Sequence, residues 1–243
     1  MTTHSAALLD PTEPLPRFDV RSRPSARPAR QPVLVVAPQR GRPATALVDV
    51  LLAHGLDPAV VTANGESLPD PGASPLAVLV GADPLGDART GGWLEREVEW
   101  IRRADEAGTA LLGIGHGARA LALAFGGSVA PAEHPLRGWV LVETIVPHVI
   151  ATGPWLAWQH DVITLPPDAT RLAHNRLGPQ AFRVGRHLGV QFHPEASPDD
   201  LAGWAGADDT PDEVQSLLSV VTRDPAAAAN CTHRLLSSFI GSI

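Results

Sequence analysis

Leu111-Leu112-Gly113-Ile114-Gly115-His116-Gly117-Ala118-Arg119 is the stretch that decides the fold. An apolar run enters a glycine-punctuated turn, and an Ala/Leu-rich segment follows as far as Ala124. A strand that ends in such a turn and leads straight into a helix has the pattern of a nucleophile elbow, with the reactive residue held between two flanking glycines. The residue in the reactive slot is Gly115, which has no side chain. The stretch therefore speaks for a fold and against a reaction.

The elements on either side support the same architecture. Upstream, Val33-Leu34-Val35-Val36-Ala37 is a continuous apolar run of the kind that forms a strand buried on both faces. Ala44 to His54 carries helical spacing and is closed by Gly55. Ala59-Val60-Val61 and Leu76-Ala77-Val78-Leu79-Val80 predict the next two strands. Trp93 to Ala107 predicts an amphipathic helix with Leu94, Val98 and Ile101 on one face, and Gly108 ends it. Thr109 to Ile114 is then the fourth strand. Strands and helices that alternate in this way build a mostly parallel sheet with helices on both faces.

Downstream of Phe125-Gly126-Gly127 the rhythm changes. Trp139 to Val142, Trp155 to Trp158, Ala181 to Val184 and Leu188 to Phe192 predict shorter strands joined by Pro/Gly turns, a small antiparallel section packed on the main sheet. Glu213 to Val221 and Ala226 to Phe239 predict helices in a C-terminal segment, residues 201–243, that completes the domain. Residues 1–31 hold five prolines and five arginines without apolar periodicity, and we expect a disordered extension there.

Composition bounds the chemistry. The 243 residues are 44% hydrophobic, enough for a sizeable core, yet no apolar run reaches the roughly 18 residues of a membrane span. No basic start followed by an apolar block marks a signal peptide, so a cytoplasmic location and no membrane partner are expected. The single cysteine, Cys231, excludes an internal disulfide and a cysteine-based metal cluster. A formal charge of −7 argues against nucleic acid as a partner. All the basic residues are arginine, and tyrosine is absent. Lysine Schiff bases, P-loop lysines and tyrosine acids are thereby ruled out.

A second motif completes the picture. Gly189-Val190-Gln191-Phe192-His193-Pro194-Glu195-Ala196-Ser197 brings a histidine off an apolar strand and places a glutamate two residues later. In a nucleophile–His–carboxylate triad the carboxylate orients the imidazole, and the imidazole reaches the nucleophile.

On these residues the chain resembles class I glutamine amidotransferases, most closely those similar to the glutaminase part of GMP synthase. Gly113 to Gly127 resembles the family's cysteine elbow and its helix, and Gly189 to Ser197 resembles its His/Glu strand. Trp158-Gln159-His160-Asp161, Leu165-Pro166-Pro167 and Arg171-Leu172-Ala173 resemble the intervening segment. Val80-Gly81-Ala82-Asp83-Pro84 stands where the family has its oxyanion loop. The resemblance implies a flavodoxin-like, doubly wound α/β fold over about residues 32–200. It also implies a reaction in which a thiolate attacks the side-chain amide of glutamine, ammonia leaves, and the thioester is hydrolysed. The implied site comprises His193 and Glu195 of the triad, backbone N–H donors at Ala82 and His116, and substrate-side positions at Arg119, His160 and Asp161.

The departures bear on function. Gly115 stands at the nucleophile position, Arg119 where the family has a glutamine that helps hold the substrate, and Ala82 where it has a second loop glycine. Neither Cys231 nor Ser128 is placed by sequence to replace the thiol. The family's glutaminase activity is expected to be absent, because loss of a covalent nucleophile removes several orders of magnitude in rate. Two readings remain. In one, the chain is a pseudo-glutaminase that serves as a binding or regulatory subunit for a separate synthetase. In the other, His193, Glu195 and Arg119 act on an anionic small molecule, since a planar guanidinium grips two anionic oxygens at once.

Other chemistries fit less well. Gly113-x-Gly115-x-x-Ala118 matches part of a dinucleotide fingerprint, with Glu133 downstream, but it follows the fourth strand rather than the first. No cofactor is expected. His160-Asp161 and His193-x-Glu195 offer metal-ligand atoms, but neither a cysteine pair nor a His-x-x-x-His helix accompanies them, and no metal is expected.

Overall fold

The computed structural model of the chain describes residues 31–37, 45–62, 67–81, 93–196 and 225–242. Three expectations lie outside them: the extension (apart from Gln31), the helix over 213–221, and the loop that carries Ala82. No helix of the described residues is long and apolar enough to cross a membrane.

Four parallel strands form the first half of the main sheet. They are β1 (Gln31–Ala37), β2 (Leu56–Thr62), β3 (Leu76–Gly81) and β4 (Ala110–Gly115), in the spatial order β2-β1-β3-β4. The reversal of direction about β1 is the doubly wound pattern, and loops at the carboxyl ends of such strands form the site. Helix α1 (Thr45–Ala53) covers one face. Helices α2 (Trp93–Glu106) and α3 (His116–Ala124) cover the other. The strand residues divide by alternation. Val33 and Val35 join the cluster under α1, and Leu34 and Val36 join the one under α2 and α3.

The second half of the sheet is antiparallel. Short strand β10 (His187–Val190) adds parallel to β4. β9 (Gly178–Val184), β8 (Thr170–Asn175) and the two-residue β6 (Glu143–Thr144) then continue the sheet to eight strands. Among the described strands, β5 (Ser128–Val140) and β7 (Trp155–Thr164) stand apart, as an antiparallel ribbon. The sequence predicts one antiparallel section packed on the sheet. The structure divides it, with most strands extending the sheet and one ribbon packing beside it. The reason is visible at β10, which is buried along its whole length and pairs with β4 on one side and β9 on the other.

Helix α4 (Pro225–Ile240) returns to the α1 face, where Leu235, Leu236 and Phe239 pack with Leu47, Val50 and Leu51. Helix α3 is buried almost all round, which suits its alanine-rich composition, because small side chains let it lie close to both the sheet and α2. At the crossing itself, a Cβ on Gly113 would come within 2.5 Å of the Gly117 carbonyl oxygen. The strand and the helix touch backbone to backbone there, and only glycine permits it.

Candidate functional site

The expected elbow is present as a local geometry. β4 ends at Gly115 and α3 begins at His116 with no intervening loop. Gly115 lies at φ 56°, ψ −107°, a region that glycine enters freely and other residues enter only under strain. The space above Gly115 is filled. A Cβ built there would stand 2.5 Å from His193 Cε1 and 2.8 Å from His193 Nε2, and closer still to the Gly81 carbonyl oxygen. Real Cβ atoms do not approach other atoms so closely, so the imidazole and the end of β3 occupy room that a side chain would need.

His193 is brought there by several contacts. Its backbone N–H donates to the Leu156 carbonyl at 2.8 Å, which ties the end of β10 to β7. The preceding Phe192 stacks on Trp155 with ring centroids 4.4 Å apart. Thr232 of α4 donates its hydroxyl to the Pro194 carbonyl and fixes the next residue. His193 Nδ1 lies 2.8 Å from Glu195 Oε1, and both side chains are buried. A carboxylate only accepts, so Nδ1 carries the proton and Nε2 is the ring nitrogen turned toward Gly115. The sequence-predicted His/Glu pair is therefore assembled, with its outward nitrogen against the elbow.

Arg119, one helical turn along α3, has no exposed surface. Its Nε lies 3.6 Å from Asp161 Oδ2, and Asp161 is itself buried. Two glutamines extend this polar interior: Gln159 donates Nε2–H to the Asp161 carbonyl at 2.9 Å, and Gln180 donates to Gln159 Oε1 at 3.0 Å. A buried guanidinium needs such a carboxylate, because an unpaired charge in the interior is strongly unfavourable. Asp161 thus faces the helix, whereas His160, its neighbour on β7, points the other way and meets Arg137 NH2 at 3.1 Å on the ribbon. Adjacent residues on a strand face opposite sides. For that reason the two do not act together as metal ligands. No group of three or more His, Cys, Asp or Glu side chains is placed to hold a metal ion among the described residues.

His116 contributes more than the backbone N–H expected of it. Its Nε2 lies 2.6 Å from Glu97 Oε2, and both side chains are buried. Glu97 is a residue that the sequence reading missed. Its signal is positional: Trp93, Leu94, Glu97, Trp100, Ile101 and Ala104 make one buried helical face, and the carboxylate occupies a slot that the period assigns to the core. A carboxylate at such a slot requires a buried donor, and His116 is that donor. Gln180 lies outside the motifs and Gln159 enters only as part of the intervening segment, because strands that alternate imperfectly hide which polar residues turn inward. Cys231 is partly buried on α4 against the apolar cluster of α1 and the sheet.

Comparison with known proteins agrees with the fold and the motifs. The family model of glutamine amidotransferase class-I matches residues 45–202. Over 103 residues the chain is 36% identical to a GMP synthase (glutamine-hydrolyzing) of Thermomicrobium roseum, a match that takes in 40% of this chain and 20% of that protein. The chain thus spans about one-fifth of the length of that curated relative. Among solved structures, a glutamine amido transferase from Methylobacillus flagellatus superposes with a TM-score of 0.73 at 19% identity, over 88% of this chain and 96% of that one. A protein from Thermoplasma acidophilum, described as a putative subunit of GMP synthase, superposes with a TM-score of 0.60 at 22% identity, over 88% and 94%. With the family model covering well over half of its length, the chain belongs to the class I glutamine amidotransferase family.

Proposed function

We propose that this chain is a pseudo-glutaminase: a class I amidotransferase domain that has lost glutamine hydrolysis and serves as a binding or regulatory subunit. One observation carries the reading. Gly115 occupies the elbow with no side chain, and the His193 ring stands within 3 Å of the place where a nucleophile's Cβ would be. A covalent route needs an attacking atom and a near-attack geometry at about 3–3.5 Å. Here there is no attacking atom, and the room for it is filled.

Arg119 supports the same reading. An arginine that gripped an anionic substrate would present its guanidinium to solvent or to an open pocket. This one has no exposed surface and faces Asp161. It serves as an internal ion pair in place of a substrate-holding amide. His193–Glu195 and His116–Glu97 then act as buried hydrogen-bonded pairs that hold β10, α2 and α3 at the elbow.

The relatives support a partner of the synthetase type. One is a GMP synthase whose chain extends far beyond the matched segment, and another is described as a putative subunit of GMP synthase, by that name one part of a larger enzyme. A separate synthetase-type protein is therefore the partner this reading assigns. The test is co-purification of a defined partner, its reconstitution from two recombinant chains, and measurement of the partner's rate with and without this chain. His193→Ala should leave the complex and the rate effect intact. A turnover by this chain alone, abolished by His193→Ala in a folded variant, would contradict the reading and favour a repurposed enzyme.

A further inference from the structure

Three large apolar side chains stand exposed among the described residues: Val60, Leu141 and Ile145. Two of them lie in one short segment. From Leu141 to Ile145 the side chains alternate, with Leu141, Glu143 and Ile145 outward and Val142 buried. A solvated strand face carries polar side chains, whereas this one carries leucine and isoleucine at 65% and 70% exposure with a single glutamate between them.

The segment includes β6, which with β2 is one of the two edge strands of the eight-stranded sheet. Glu143 pairs with His174 of β8, so their side chains share a face, and His174 Nε2 lies 3.5 Å from Glu143 Oε2. Beside them opens a groove of about 550 Å³ lined by Leu136, Trp139, Leu141, Glu143, His174 and Arg176 among others. The register places this groove at a definite end of the fold. β10 runs parallel to β4, β9 runs back, and β8 ends at Asn175 opposite Gly178. The groove therefore sits at the rim where β4 delivers Gly115.

The patch holds both halves of an interface. Leu141 and Ile145 are exposed apolar side chains, and the groove, which Leu141 also lines, is a partly apolar recess. Glu143, with a side chain 83% exposed, is the anion, and exposed Arg176 is the cation. A surface that carries apolar side chain with recess and acid with base is self-complementary, and a two-fold interface requires this, because the same patch must serve on both protomers. The edge strand is also an exposed end of a sheet, which natural proteins cover or charge.

We propose that this face is an isologous dimer interface and that its occupant is a second copy of this chain. The exposed apolar side chains of each copy seat in the recess of the other, and Glu143 of one copy faces Arg176 of the second. The inference is independent of the loss of glutaminase activity, since it concerns the association of the purified chain alone.

Sedimentation velocity across micromolar concentrations tests it. The wild-type protein should sediment at twice the 25.5 kDa monomer mass. Leu141→Asp combined with Ile145→Asp should sediment as monomer with an unchanged far-UV CD spectrum, since both side chains are largely exposed in the single copy. Glu143→Arg should weaken dimerisation by about tenfold or more, and Glu143→Arg with Arg176→Glu should restore it. A monomeric wild-type protein would overturn the proposal, including one that engages a separate synthetase through this face. A dimer that persists in the double aspartate variant, or one indifferent to both charge changes, would overturn it equally.

Discussion

Replacing Arg119 by alanine should destabilise the fold far more than a loss of side-chain volume on an alanine-rich helix suggests. Arg119 has no exposed surface, and Asp161, 3.6 Å away, is 6% exposed. The substitution takes the neighbouring guanidinium away from a buried carboxylate and opens a cavity where that side chain lay. Breaking a buried pair from one side costs roughly 3–5 kcal/mol. At about 2–4 °C per kcal/mol for a domain of this size, the melting temperature should fall by on the order of 10 °C. The assay is urea and thermal unfolding of wild type, Arg119→Ala, Asp161→Leu, and Arg119→Met with Asp161→Leu. The double variant removes both charges and leaves apolar groups of similar length, so it should recover most of the stability lost by either single change. A loss below about 1 kcal/mol in Arg119→Ala would mean that the pair is solvated, as a surface pair is, and that Arg119 does not serve as an internal ion pair.

Two further outcomes follow from named contacts. Gly115→Cys should lower stability by roughly 2–6 kcal/mol, from strain at positive φ together with overpacking against His193 and the Gly81 carbonyl, and should stay at background in an ammonia-release assay; a stable, active variant would show that His193 yields its place readily. His187 gives a pH dependence: Leu111 N–H donates to its Nδ1 at 3.1 Å, so its Nε2 carries the proton toward Asp105 Oδ1 at 3.0 Å. Burial holds its pKa below the ordinary value, against the opposing pull of Asp105 and with a smaller push from Arg186. The unfolded chain therefore takes up a proton first, so this contribution is complete above about pH 6.5 and is lost as pH falls toward the folded pKa. His187→Gln should remove a slope of at most about 1.4 kcal/mol per pH unit below that point, and identical pH profiles for the two proteins would refute the assignment.

Much of this architecture is legible in the sequence because its signals are local. The apolar runs of β1, β3 and β4 are buried on both faces, so their composition announces them. The elbow is legible because glycine is required twice, by the positive φ at Gly115 and by the backbone contact between Gly113 and Gly117. The His193–Glu195 pair is legible because both residues lie on one short segment. Other features depend on distance in the chain. Glu97 and His116 are brought together by the packing of α2 on α3, and nothing in either helix alone names the partner. Gln159 and Gln180 meet across β7 and β9. The division of the antiparallel strands between sheet and ribbon depends on which edge β10 accepts, a choice made by tertiary pairing rather than by propensity.

Arg119 shows the limit most clearly. Its place in the motif suggests a grip on an anion, and an internal salt bridge differs from that only in which way the side chain turns. Asp161, 42 residues downstream on another element, supplies the cause: it gives the guanidinium a buried partner.

The most direct test of the pseudo-glutaminase reading is ammonia release from glutamine by the purified wild-type chain, followed with and without its partner, at enzyme concentrations high enough to detect a residual rate. The account predicts a rate at the level of uncatalysed hydrolysis in both cases, unchanged by His193→Ala. Ammonia release clearly above that level and abolished by His193→Ala would contradict it.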